Sequence, residues 1–127
     1  MQHFVVRRAG RLVDEDLNTG VLVLAESEDG ATGRRLEIQR SLRMDEQDRD
    51  LGMDTYCLVN EIGATVYGGV VMSWTLARGI LLLVLEPEAA AVVGAGSGLE
   101  LALAPGLIHE QVVRSALAVI LDQAETK

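Results

Sequence analysis

Cysteine occurs once, as Cys57, so no internal disulfide can form and a disulfide-stapled secreted scaffold is excluded. A reducing, cytoplasmic setting is expected. Aromatic rings are scarce, with Phe4, Tyr56, Tyr67 and Trp74 making up the set. A nucleic-acid platform needs several rings beside basic side chains. Basic side chains are also few: nineteen acids stand against eleven bases, a formal net charge of −8. Such a chain is not expected to bind nucleic acid or an anionic membrane. The densest apolar run, Ile80 to Leu85, is strand-length, whereas a bilayer-crossing helix needs about 20 residues. Residues 1–8 hold no apolar stretch of the kind a signal peptide requires. Proline occurs only twice, which leaves the punctuation to thirteen glycines.

What is present suits one compact domain. Apolar residues make up 49% of 127 residues, enough for a single core. The domain is expected over residues 1–121, with 122–127 as a frayed tail. Short strand patterns recur between turn signals. They fall at Phe4–Arg8, Val21–Ala25, Arg35–Leu42, Thr55–Val59, Ala64–Gly68, Val70–Leu76, Ile80–Leu85 and Leu99–Leu103. In Arg35–Leu42, apolar Leu36, Ile38 and Leu42 alternate with polar residues, the period of a half-buried strand. Val70, Met72, Trp74 and Leu76 alternate in the same way. Arg78-Gly79 reads as a tight turn, and Gly68-Gly69 as a bulge or bend. Glu86–Gly94 opens on Pro87, carries alanines and ends on glycine, which predicts a short helix. Leu107–Leu121 places Ile108, Val112, Ala116, Val119 and Ile120 at helical spacing. Consecutive strands before two late helices predict an α+β fold. The expected form is a mostly antiparallel curved sheet of about seven or eight strands, with the C-terminal helix packed on one face.

No catalytic set emerges from the residue types. Cys57 lies mid-strand with no sequence-near partner to lower its pKa. No Gly-x-Ser-x-Gly elbow is present, and one Cys with two His cannot form a structural zinc site without carboxylates. Gly94-Ala95-Gly96-Ser97-Gly98 follows a helix and precedes a strand, the reverse of a phosphate-binding loop. No metal and no cofactor are expected. Phe4 and Trp74 sit within apolar patterns and read as core. Tyr56 and Tyr67 lie at strand ends, where tyrosine often anchors an interface.

The informative stretch runs from Asp45 to Asp54. Asp45, Glu46, Asp48, Asp50 and Asp54 with Arg49 give it a local charge of −4. It lacks the order of a calcium loop. The motifs Leu36-Glu37-Ile38-Gln39-Arg40-Ser41-Leu42, Asp45-Glu46-Gln47-Asp48, Leu51-Gly52-Met53-Asp54-Thr55-Tyr56-Cys57 and Tyr67-Gly68-Gly69 resemble the tenth immunity-protein family of bacterial polymorphic toxin systems. The resemblance implies a cytoplasmic, non-enzymatic protein that binds a cognate toxin domain and neutralises it by covering its surface. Acidic charge would steer such a protein onto a cationic toxin. The expected partner-binding residues are Asp45, Glu46, Asp48, Asp50, Asp54, Tyr56 and Tyr67, with Tyr56 included on condition that it is not buried. Two alternatives stand beside this. One is a homo-oligomeric structural or adaptor domain, a homodimer through Val70–Leu76 or Ile80–Leu85 being its simplest form. The other is a small hydrolase or ligand-binding enzyme that uses loop carboxylates with His109.

Overall fold

A computed structural model describes residues 1–42 and 55–126. The fold is α+β, with nine strands and two helices among the described residues. The strands divide between two sheets, where the sequence patterns suggest one curved sheet. The order of the first is β1 (Gln2–Val6), β9 (Gly98–Leu103), β8 (Ile80–Leu85) and β7 (Val71–Ala77). The second runs β2 (Arg8–Asp14), β3 (Thr19–Ala25), β4 (Arg35–Ser41), β5 (Tyr56–Asn60) and β6 (Thr65–Tyr67). Every pairing is antiparallel except β1 with β9.

The chain changes sheets at two short joints. Val6 accepts a bond from Ala104 beside the four-stranded sheet, while the next residue, Arg7, donates to Ala25 in the five-stranded one. The expected strand Phe4–Arg8 is therefore split at Arg7. The second joint is Gly68-Gly69, between β6 and β7. Both glycines hold φ values of 101° and 70°, a region closed to most side chains.

One core fills the space between the sheets. Leu22, Leu24, Leu36, Ile38 and Leu58 contribute from the five-stranded sheet. Phe4, Trp74, Leu76, Leu81, Leu83 and Leu101 contribute from the other. Gly98 fits because a Cβ there would run into the Leu83 carbonyl of the adjacent strand. In β7 a bulge between Val71 and Ser73 resets the alternation. Val71, Trp74 and Leu76 are buried and Met72 turns outward at 61% exposure, so Met72 does not share the face expected of it.

The short helix α1 (Pro87–Val92) begins on proline as expected. The helix α2 (Glu110–Leu121) packs against β2, β3, β4 and β7. Its buried side is Val113, Ala116, Leu117, Ile120 and Leu121. Val112 and Val119, assigned to that stripe from their spacing, are exposed. A helix starting at Glu110, three residues later than the pattern suggests, presents a neighbouring stripe to the core.

The residues after α2, expected as a tail, are placed against the sheet through position 126. They lie along the free edge of β7. Thr126 N–H donates to Trp74 O at 2.8 Å, and Leu76 N–H donates to Glu125 Oε2 at 2.8 Å. Trp74 Nε1 donates to Gln123 O, and Arg114 bridges Leu76 O and Glu125. Charged residues of the first half are likewise used structurally. Arg34 meets Glu61 at 2.7 Å and lies over the Phe4 ring, tying the β3–β4 and β5–β6 connections to the opposite sheet.

Candidate partner-binding surface

β-pleating gives the five-stranded sheet two faces, and α2 and the core occupy one of them. The cross-strand register defines the other. One row runs Leu12, Val21, Gln39, Cys57, Tyr67. The next runs Gly10, Val23, Glu37, Val59, Thr65. Both ends of the first row stand in solvent, Leu12 at 62% and Tyr67 at 57% exposure. The strand alternation in Arg35–Leu42 already marks Glu37, Gln39 and Ser41 as sharing a face. Leu12 and Gly10 carry no such signal.

Two hollows mark this face. One, of about 150 Å³, is bordered by Thr19, Gln39, Arg40, Ser41, Thr55, Cys57 and Tyr67. It lies where β4 leads into residues 43–54 and β5 returns from them. The other, of about 240 Å³, is bordered by Arg8, Gly10, Leu12, Val23, Asp29, Gly30, Arg35 and Glu37. Arg35 and Glu37 sit 3.7 Å apart on its wall.

The expected site residues separate into three groups. Asp45, Glu46, Asp48, Asp50 and Asp54 lie outside the described residues. Tyr67 is exposed at the rim of the smaller hollow. Tyr56 is buried at 3% exposure, so the condition attached to it as an anchor is not met. Its hydroxyl accepts the Val71 N–H at 2.9 Å and links β5 to the start of β7. Burial, reinforced by the Glu86 charge, pushes its phenol above the ordinary tyrosine range. The register explains the contrast. Tyr56 pairs with Arg40 on the inner face, while Tyr67 pairs with Cys57 on the outer face.

Cys57 borders the smaller hollow but is poorly suited to nucleophilic chemistry. Burial raises its thiol pKa, and the Glu37 carboxylate adds to the shift. The neutral thiol is thereby favoured, whereas a reactive cysteine requires the opposite. His109 precedes the first turn of α2 and makes no capping bond through its side chain. The carboxylates that a hydrolytic reading pairs with it lie outside the described residues. Among the described residues no group of three or more His, Cys, Asp or Glu converges on a metal position. No helix among them is long and apolar enough to cross a membrane.

These features define a two-sheet α+β domain with a pitted sheet face that the described residues leave open. The family described as Immunity protein 10 (Imm10) matches residues 5–109, and the chain belongs to that family. It is therefore an immunity protein, and membership implies a toxin as partner. The match runs from within β1 to the residue preceding α2. No curated protein matches the chain.

Proposed function

We propose that this immunity protein binds a cognate bacterial toxin domain and neutralises it by occlusion, with no catalysis of its own. Membership of the Imm10 family carries the reading. The net charge of −8 and the concentration of acids from Asp45 to Asp54 suit a cationic partner. Those carboxylates guide the encounter, and exposed Tyr67 beside the adjoining hollow supplies an apolar anchor with a polar tip. Charge placed this way acts mainly on the association rate and fades with salt.

The test uses the toxin domain encoded beside this gene and surface plasmon resonance at low and physiological salt. Reversing Asp45, Glu46, Asp48 and Asp50 together is expected to slow association by about ten-fold at low salt, with a smaller effect at high salt. Tyr67→Ala is expected to speed dissociation by about ten-fold or more. Unchanged kinetics in both variants would remove this surface from the interface. Loss of the toxin's activity by chemical modification, rather than by a stoichiometric complex, would overturn occlusion.

A further inference from the structure

We infer that the free edge of β2 pairs antiparallel with β2 of a second copy, joining two five-stranded sheets across a two-fold axis at Arg11. The inference goes beyond toxin binding and does not depend on it. Among the described residues, β2 is a seven-residue strand with no further strand beyond it in its sheet. Glu26 N–H donates to Arg34 O, just past the β3–β4 ladder. Antiparallel bonds alternate in direction, so Val21 and Val23 turn their main-chain groups toward β2. Their partners Leu12 and Gly10 answer them. The N–H and C=O groups of Ala9, Arg11 and Val13 are left pointing away from β3.

Three further observations select a second copy as the occupant. The first is charge. The strand is basic where it starts, at Arg7 and Arg8, and acidic where it ends, at Asp14-Glu15-Asp16. An antiparallel copy centred on Arg11 sets Arg8 opposite Asp14 at both ends. The net charge of −8 opposes association of two copies in general, but along this edge the signs balance. The second is shape. The same register sets Leu12 of one copy opposite Gly10 of the other. A Cβ built at Gly10 would meet nothing within 4 Å. Gly10 also borders the hollow of about 240 Å³, next to Val23. The exposed leucine of each copy therefore has a vacant recess to enter on its partner. The third is bonding. The register pairs Ala9 with Val13, and Arg11 with Arg11, which are the residues holding unused main-chain groups. About six intermolecular hydrogen bonds result. A single-strand seam is at the small end of stable interfaces, so the dimer is weak and reversible.

Sedimentation equilibrium of the full chain, from about 5 to about 500 μM, reads the association. A concentration-dependent dimer is expected. Arg8→Glu alone and Asp14→Lys alone each set like charges opposite one another twice, and each should weaken the dimer by about ten-fold. Mixing the two variants in equal amounts restores opposite charges at both ends and should restore dimerisation. Misfolding of either variant would not be rescued in this way, and circular dichroism checks both. Arg11→Thr removes the like-charge contact on the axis and should tighten the dimer by about three-fold. A monomer at every concentration would overturn the inference. A dimer indifferent to these changes would place the seam on another surface and overturn it equally. A chain that stays monomeric, yet loses toxin binding when β2 is altered, would give the strand to the toxin instead.

Discussion

β7 and β2 both terminate a sheet, and the chain treats them differently. Along β7 the residues after α2 bond Trp74 O and Leu76 N–H, and Arg114, paired with Glu125, donates to Leu76 O. Along β2 the described residues add no further strand, and Leu12 and Val13 stand exposed on opposite faces. Unpaired strand edges invite other chains, and proteins usually cover them or charge them. Here one edge is covered from within. The other carries Arg8, Arg11 and Asp14, which reject most strands and suit one with the reverse order of charge. β8 lies inside its sheet, and Trp74 O, Leu76 N–H and Leu76 O along β7 are already bonded within the chain.

The contrast can be broken most severely at Trp74. This side chain is 1% exposed and also donates to Gln123 O. Trp74→Ala is expected to lower stability by about 3–5 kcal/mol in urea unfolding, since it opens a cavity and releases the covering segment together. Removing residues 123–127 tests the cover alone. It strips bonds from Leu76 and from Trp74, the indole N–H included, while leaving every core side chain in place. A loss of about 1–3 kcal/mol is expected, with a new tendency to aggregate visible by light scattering. If the shortened chain stays as stable and as soluble, the segment does not protect the edge.

A smaller effect follows from Glu125. The Leu76 N–H, and then Arg114, hold its carboxyl below the ordinary glutamate range. A group whose pKa is lower when folded adds stability above its unfolded pKa and loses it as pH falls through the folded one. The contribution is therefore whole at neutral pH and fades on acidification below the ordinary glutamate range. Glu125→Gln should flatten that part of the stability–pH curve measured by denaturant unfolding. The smallest effect belongs to the open edge. Leu12→Thr should leave monomer stability within about 0.5 kcal/mol, because the side chain buries little within one copy. A larger loss measured at high dilution would mean that β2 already does the packing work assigned here only to its partner.

Sequence pattern shows much of this fold, and its failures have physical causes. β4 is visible because apolar and polar residues alternate along it, and β3 and β8 because each is a short apolar run bounded by turn signals; in the structure all three bury alternate residues. The Arg78-Gly79 turn is visible because both residues take positive φ. β2 is hidden because an edge strand with exposed residues on both faces has no alternation to detect. The bulge in β7 is hidden because an inserted residue leaves the apolar spacing plausible while exchanging its faces. The division into two sheets turns on Arg7, which carries no turn signal, and on Gly68-Gly69, legible as a bend but not as a change of sheet. The candidate surface behaves similarly. Acidity and two tyrosines stand out in the sequence, but which tyrosine faces solvent depends on the β4–β5–β6 register. The recess at Gly10 needs four separate segments in alignment, so no local pattern could announce it.

β1 pairs with β9, setting Gln2 opposite Leu99 and Val6 opposite Leu103. β1 must therefore wait for β9, made much later in synthesis, before their ladder can close. The hairpins of the five-stranded sheet involve short separations and can zip up during synthesis. The four-stranded sheet closes only when β1 meets β9, and contacts so distant in sequence slow folding. Pairing of these two strands is thus the expected slow step in folding this domain.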